Sequence, residues 1–514
     1  MHKYESYAEY YHELTKYTPE GISKNKHVLD FNNQPKLFKT YPQNLKKVDL
    51  SYLLPLDRNP FSDTGIKSPD EYTEHDKYLS KISKILYLAN GITSIGHTGE
   101  QRIYMRSAPS AGGLYPTEIY LLVYDHPVLD DGIYHYHSLN HSITNIKQGN
   151  FKNTLLESTF NHDAVSKNNI FLILTAIFFR SSWRYQDRAY RRICLDTGHI
   201  IGNIDVASNY CGFKPYLIGG FIDEKINTLL DLNADEEQAL TIISLSDKEH
   251  KTEINSSSVL PSPLKSDNAN TPEGYRIIEL HKRSHISEKI KIPNLPEGNL
   301  EEKFIFSPSI SLGTDKNQTS WKTKLIETML YRRSTREFSG EPLSKEELAS
   351  IMDFAYHPEF FSHEPLDTNP SYFDLSPLET FIAINSVTGL EEGCYYYSAK
   401  NRYLKQVRFK NFREDILYLC LGQELGYKAS AVIFHTCDLS KYIYKYGERI
   451  YRYIHLDAGH IGERINLACI NLGLGVSGIG GFFDDQVNDL LGIPEKEAVV
   501  YITTIGVPEK IHLN

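Results

Sequence analysis

Cysteine is scarce in this 514-residue chain: six residues, at 194, 211, 394, 420, 437 and 469, with no C-x-x-C pair among them. Such spacing offers neither a paired-thiol motif nor a disulfide framework, and buried thiols in a reducing compartment are the simplest account. No run of eighteen apolar residues exists, which argues against a membrane-spanning helix. Positive charge is not in surplus: 55 Lys and Arg stand against 65 Asp and Glu, a net charge of −10, and a general nucleic-acid surface is not expected. The opening residues MHKYESYAEYYHEL lack the basic and apolar regions of a signal peptide, so a cytoplasmic location is expected. Tyrosine, at 36 residues, is abundant; core and interface packing is its default use, pocket lining the alternative.

What is present is a duplication. The string YRRICLDTGHI at 190–200 recurs as YRYIHLDAGHI at 451–461, identical at eight of eleven positions and offset by 261 residues. The same offset relates IGGFIDEKINTLL from Ile218 to IGGFFDDQVNDLL from Ile479, Gly132-Ile133-Tyr134 to Gly393-Cys394-Tyr395, and PSAGGLYPTEIYLLV (109–123) to PSYFDLSPLETFIAI (370–384). Solenoid repeats run at periods of about 20–50 residues, so a duplicated domain is the better reading.

Each copy is of mixed character. Apolar, β-branched runs predict strands at 119–124, 170–179 and 240–245 in the first copy and at 381–384, 431–435 and 499–506 in the second. A helical pattern follows at 188–211 and at 449–472, with Asp457 and His460 three apart on one face, a spacing that suits a buried polar pair fixing helix packing. Ser344, ahead of Lys345-Glu346-Glu347, has the form of a helix cap. Residues 251–274, rich in Ser, Pro and Asn, read as a linker. The expected organisation is an arm at 1–60, a domain at 61–250, a linker and connector at 251–320, and a second domain at 321–514. GLGVSG (473–478) satisfies G-x-G-x-x-G, but it follows a helix instead of opening one, so a dinucleotide site is not expected there.

PSAGGLYPTEIYLLV, RRSTREFSGEPLSKEEL, YKYGERIYRYIHLDAGHIGERINLA and GLGVSGIGGF together resemble the flavin-dependent nitroreductase superfamily, and within it the SagB/ThcOx-type dehydrogenases. The resemblance covers most of 60–250 and 321–514. It implies an α+β fold in which two tandem nitroreductase-like domains form an intramolecular pseudo-dimer, with FMN in a cleft between them. Arg332, Arg333, Ser334 and Arg336 then supply fork-shaped cationic donors to the phosphate and ring. The small-residue loop Pro109-Ser110-Ala111-Gly112-Gly113 permits close backbone approach to a flat ring. The Gly478-Ile479-Gly480-Gly481 loop resembles the segment whose N–H faces flavin N5.

The two copies depart from this pattern in complementary ways. Ala111-Gly112-Gly113 becomes Tyr372-Phe373-Asp374 in copy two, and RRSTR faces Ile66-Lys67-Ser68-Pro69-Asp70 in copy one. One cleft therefore keeps every part, from PSAGG of copy one with RRSTR and GIGG of copy two. The other loses both main parts, and one FMN per chain is expected. The branch resemblance implies oxidation of azoline to azole rings in ribosomal peptides, with a cyclodehydratase as possible partner and Lys445-Tyr446 as the base pair. Copy one carries Arg184-Tyr185 instead, and arginine cannot act as a base. If that segment faces the intact cleft, azoline oxidation is less favoured and Tyr185 is the remaining acid–base candidate. A general NAD(P)H-dependent nitro- or quinone reductase and a flavin-free peptide-binding scaffold stand as alternatives.

Overall fold

Two seven-stranded antiparallel sheets repeat one strand order. The computed structural model describes residues 4–54, 68–99, 101–249, 253–264, 271–291, 303–313, 321 and 324–509. The first sheet contains β1 (Lys47–Asp49), β2 (Thr117–Val123), β3 (Gly132–His137), β4 (Ser142–Gln148), β5 (Ile170–Ile177), β6 (Phe213–Ile218) and β7 (Glu237–Asp247). The second contains β8 (Ser309–Ser311), β9 (Glu379–Ile384), β10 (Gly393–Ser398), β11 (Tyr403–Arg408), β12 (Ala431–Cys437), β13 (Gly475–Ile479) and β14 (Ala498–Gly506). Their orders, β1-β4-β3-β2-β5-β7-β6 and β8-β11-β10-β9-β12-β14-β13, are the same topology written twice. The fold is α+β, as expected; the predicted strands at 240–245, 381–384, 431–435 and 499–506 sit inside β7, β9, β12 and β14, that at 119–124 runs one residue past β2, and that at 170–179 overruns β5, because Phe178 and Phe179 open the helix Phe178–Tyr185.

These strands read as continuous apolar runs because both faces of each sheet are covered. Along β2, Ile119, Leu121 and Val123 enter the core shared with the second copy, while Tyr120 and Leu122 enter a separate core on the outer face. Period-two alternation survives only as a choice between two cores. All six cysteines are buried and free.

Two 22-residue helices, Ala189–Tyr210 and Ile450–Asn471, are buried along almost their full length and cross each other. A Cβ on Gly198 would lie 2.7 Å from Gly459 Cα, and one on Gly459 would lie 2.9 Å from Gly198 Cα. Only glycine lets two backbones approach so closely, and this crossing is why the string around D-x-G-H appears twice. The pseudo-twofold axis of the chain passes here. The Ser344 cap is present too, with a reciprocal Glu347 contact opening the helix Lys345–Tyr356.

The repeat extends beyond the motifs. Helix Tyr7–Leu14 places its Tyr7 and Ala8 N–H groups on Glu448, and the Gly274 N–H, just ahead of helix Arg276–Arg283, donates to Asp187, the counterpart of Glu448. His12 pairs with the Tyr451 hydroxyl as His281 pairs with that of Tyr190. Arg191 reaches Thr15 as Arg452 reaches Ser284, and Tyr17 bridges Phe483 as Ile286 bridges Ile222. The described parts of the arm and of the connector after residue 271 are thus equivalent segments. Each segment ends in an edge strand, β1 or β8, of its own sheet.

Candidate functional site

In the first cleft, three segments from two copies converge. The RRSTR loop is docked on β13: Thr335 N–H donates to the Val476 carbonyl, and Val476 N–H returns a bond to the Thr335 hydroxyl. This leads Arg332 across the copy boundary, where Nε donates to the Ser107 carbonyl at 2.5 Å and Nη2 to the Arg106 carbonyl at 3.1 Å. Arg332 is buried, and burial lowers its pKa against the pull of Glu463. Arg333 folds back onto the Leu330 and Arg332 carbonyls, Ser334 is half-buried, and Arg336 is exposed.

The loop Pro109–Gly113 lies just beyond Ser107. Asp196, from the first central helix, accepts the Ser110 hydroxyl at 2.5 Å and the Ala111 N–H at 3.1 Å, fixing the turn from below. Burial pushes Asp196 up to about 7, against the opposing bonds from Ser110 and Ala111. Gly112 (φ +65°) and Gly113 (φ +66°) are exposed and left-handed. A Cβ on Gly113 would enter open space, and one on Gly112 would come within 2.7 Å of the Tyr185 hydroxyl. Arg192 lies over the Tyr185 ring at 3.7 Å and donates Nη2 to the Gly480 carbonyl at 2.9 Å. Tyr185 therefore stands between the PSAGG and GIGG loops. Burial raises its pKa, with Arg192 and Arg184 pulling back. Gly480 and Gly481 are half-buried and Gly478 is exposed, while Ile479 packs inward.

The second cleft is filled. Tyr372 stacks on His460 at 4.4 Å and Phe373 stacks on Tyr453 at 5.1 Å. Tyr453 occupies the position of Arg192 and reaches the Gly219 carbonyl, the counterpart of that of Gly480, at 3.0 Å. Over this layer runs the chain's own linker. The Ser258 carbonyl accepts from Gly219 N–H at 2.7 Å, Leu260 packs where a Cβ on Gly220 would be, and Ser262 N–H donates to the Tyr446 carbonyl. Gly219 and Gly220 are consequently buried. Lys445 and Tyr446 lie on this side and bind Asp374, Lys445 at 3.2 Å. Burial, then the bond to Asp374, pushes the Tyr446 phenol far up. The Lys-Tyr pair and Tyr185 thus belong to opposite clefts. Of the loop set opposite RRSTR, Ile66 and Lys67 lie outside the described residues; Ser68 caps the turn Pro69–Glu71.

The residues of the first cleft fit a flavin: a cationic loop, a glycine floor with open space above Gly113, and a buried Arg192 Nη1 with no partner among the described residues. A grouping of Asp223, His281 and His285 has the spacing of a metal site, but both Asp223 oxygens are taken by Arg449 and Arg452. A sequence profile for the nitroreductase family matches residues 79–245 and 329–507, two segments that together make up most of the chain.

The chain belongs to the nitroreductase family. It is 42% identical to a protein of Anabaena variabilis named as a nitroreductase, whose crystal structure superposes with a TM-score of 0.90 over 98% of this chain and 100% of that one. MJ1384 of Methanocaldococcus jannaschii, also named as a nitroreductase, is 29% identical over 172 residues, 34% of this chain and 86% of the relative. The microcin B17-processing protein McbC of Escherichia coli is 23% identical over 213 residues, 40% of this chain and 74% of its own length. Membership makes the chain an oxidoreductase-type protein of a characteristically flavin-dependent family. Among the described residues no helix is long and apolar enough to cross a membrane.

Sequence reasoning missed Arg192 and Tyr17. The signal for Arg192 was one of three mismatches in the eleven-residue repeat, Arg192 against Tyr453. Tyr17, opposite Ile286, packs over Arg188 at 4.2 Å and near Arg192 at 5.9 Å. Burial pushes its phenol up, but Arg192 and Arg188 outweigh that and hold it below the ordinary range.

Proposed function

We propose that this chain is an FMN-dependent oxidoreductase of the SagB/ThcOx type that acts on a modified peptide, through one composite site. The observation that carries the reading is the bridging of Arg332 to Ser107, which sets RRSTR and GIGG of one copy against PSAGG of the other. In it, Arg333, Ser334 and Arg336 would hold the phosphate, Gly112 and Gly113 would admit the ring, and the Gly478–Gly481 loop would offer it a backbone N–H. FMN, when bound, supplies the acceptor for hydride. The protein's part is to orient the substrate and move a proton, and Tyr185 is the phenol placed to do so. Similarity to McbC supports the peptide substrate, and with it a cyclodehydratase as a partner.

A second reading has its own observation. Arg184 stands where the branch has lysine, and a raised phenol is protonated at neutral pH, ready to donate. Both features favour a small-molecule reductase fed by NAD(P)H. Anaerobic mixing of the FMN-loaded chain with a thiazoline-bearing peptide or with NADPH separates the two. Flavin bleaching by the peptide, with appearance of thiazole absorbance, supports the first reading. Bleaching by NADPH without peptide, reversed when a nitro or quinone acceptor is added, replaces it with the second. If Tyr185 is the base, the oxidation rate rises about tenfold per pH unit towards the raised pKa, and Tyr185→Phe loses that limb.

A further inference from the structure

Below the arm, a cavity of about 530 Å³ opens between residues 14–27 and the segment Tyr185–Arg188, and Tyr185 is common to it and to the first cleft. Its lining carries five cationic side chains (Lys16, Lys24, Lys26, Arg188 and Arg276) plus His27, against the carboxylates of Asp187 and Glu273. In a chain of net charge −10 this is a local reversal of sign. Lys16 and Arg188 face the carboxylates of Asp485 and Asp484, and Arg276 that of Asp187; Lys24 and Lys26 form no ion pair among the described residues.

The second copy shows what this part of the fold accommodates. At the equivalent place, Ser257–Ser262 passes as a length of chain whose Ser262 N–H binds the Tyr446 carbonyl and whose Ser262 hydroxyl accepts the Arg449 N–H. Tyr446 and Arg449 correspond to Tyr185 and Arg188. In the first copy no described segment takes the place of Ser262 against Tyr185 and Arg188, and both residues line the cavity.

We propose that the cavity beneath the arm is the substrate entrance of the first cleft, and that it receives an extended peptide segment bearing acidic side chains. The inference rests on the peptide reading given above. A peptide entering here runs past Lys24 and Lys26 at the mouth, lays its backbone along Tyr185 as the linker lies along Tyr446, and delivers the residue beyond to the face of the cleft. Exposed Val28 and Phe31 beside the mouth add apolar contacts for the outer part of the segment.

The test uses the full-length, FMN-loaded chain and three fluorescein-labelled decapeptides that differ only in a central Glu-Glu, Gln-Gln or Lys-Lys pair. Fluorescence anisotropy is expected to give the acidic peptide at least tenfold tighter binding than the Gln peptide, with the Lys peptide weakest. The double variant Lys24→Glu, Lys26→Glu is expected to invert that order while flavin content and melting temperature hold. Equal binding of the three peptides, no binding of any, or a preference that survives the charge reversal overturns the proposal. Failure of azoline oxidation with an intact acidic preference instead removes the reaction assigned to the site and leaves its entrance standing.

Discussion

Arg332 and Arg336 lie four residues apart and do different work. Removing the Arg332 side chain leaves two buried carbonyls without their donors, a cost of about 1–3 kcal/mol for each such group. Arg332→Ala is therefore expected to lower the melting temperature and abolish FMN binding together. Arg336 is exposed, and Arg336→Ala should weaken FMN roughly ten- to hundredfold, the worth of a hydrogen bond to a charged group, at an unchanged melting temperature. Equal losses of stability in the two variants would remove the distinction. Asp196 makes a pH prediction. Its folded pKa, about 7, lies above that of an unfolded aspartate, so the folded state holds the extra proton and this contribution is present at low pH. It is lost as pH rises from about 4 to 7, at no more than about 1.4 kcal/mol per pH unit. Asp196→Asn removes the titration, and the wild type should lose stability relative to this variant between pH 5 and 7 in urea melts; parallel curves would contradict the assignment. At this scale the sequence singled out RRSTR, PSAGG and GIGG as motifs, and the structure brings the three together. Arg192 was not singled out, because a single mismatch in a repeat carries no chemistry until Gly480 is seen beside it.

Among the elements, the strands and the long helices follow directly from apolar runs and periodicity. The linker does not. A Ser-, Pro- and Asn-rich stretch has the composition of a solvated connection, and nothing in composition says that Val259 and Pro261 are buried or that Ser258 and Leu260 lie against Gly219 and Gly220. The arms escaped for a related reason. The Tyr7–Leu14 and Arg276–Arg283 segments share His12 and His281, Thr15 and Ser284, too few residues to show as a repeat without the side chains they meet. The plug gives a prediction of its own. Val259→Ser with Leu260→Ser removes one buried and one half-buried aliphatic side chain and should destabilise the chain by about 2–4 kcal/mol, and yet leave the FMN ratio at one per chain. Phe373 and Tyr453 still fill that cleft, and RRSTR has no intact counterpart there. A ratio near two in the variant would mean that the linker alone excludes a second flavin.

At the level of the whole molecule, the pseudo-dimer is held by the crossing at Gly198 and Gly459 and by a core that draws on both copies. Expressed as two pieces divided between Leu264 and Thr271, neither half is expected to hold FMN, because each contributes only part of the first cleft. Co-expressed, they should recover one flavin per pair; flavin on the second half alone would show that PSAGG is dispensable. The duplication and the division of parts between the copies were legible at this scale, since both depend only on comparing one half of the sequence with the other. The side to which Tyr185 belongs was not, because it depends on which way each helix turns after its strand.

The close contact of Gly198 with Gly459 has a consequence for how such a chain can change. In a symmetric dimer of identical subunits, every substitution is made twice, so a residue that blocks one active site blocks both. Joining the two subunits end to end makes their sites independently mutable while the shared helix crossing keeps them in register. One site is free to carry Tyr372-Phe373-Asp374 and take in a loop, while the other carries Arg192 and Tyr17 where its twin has Tyr453 and Ile286.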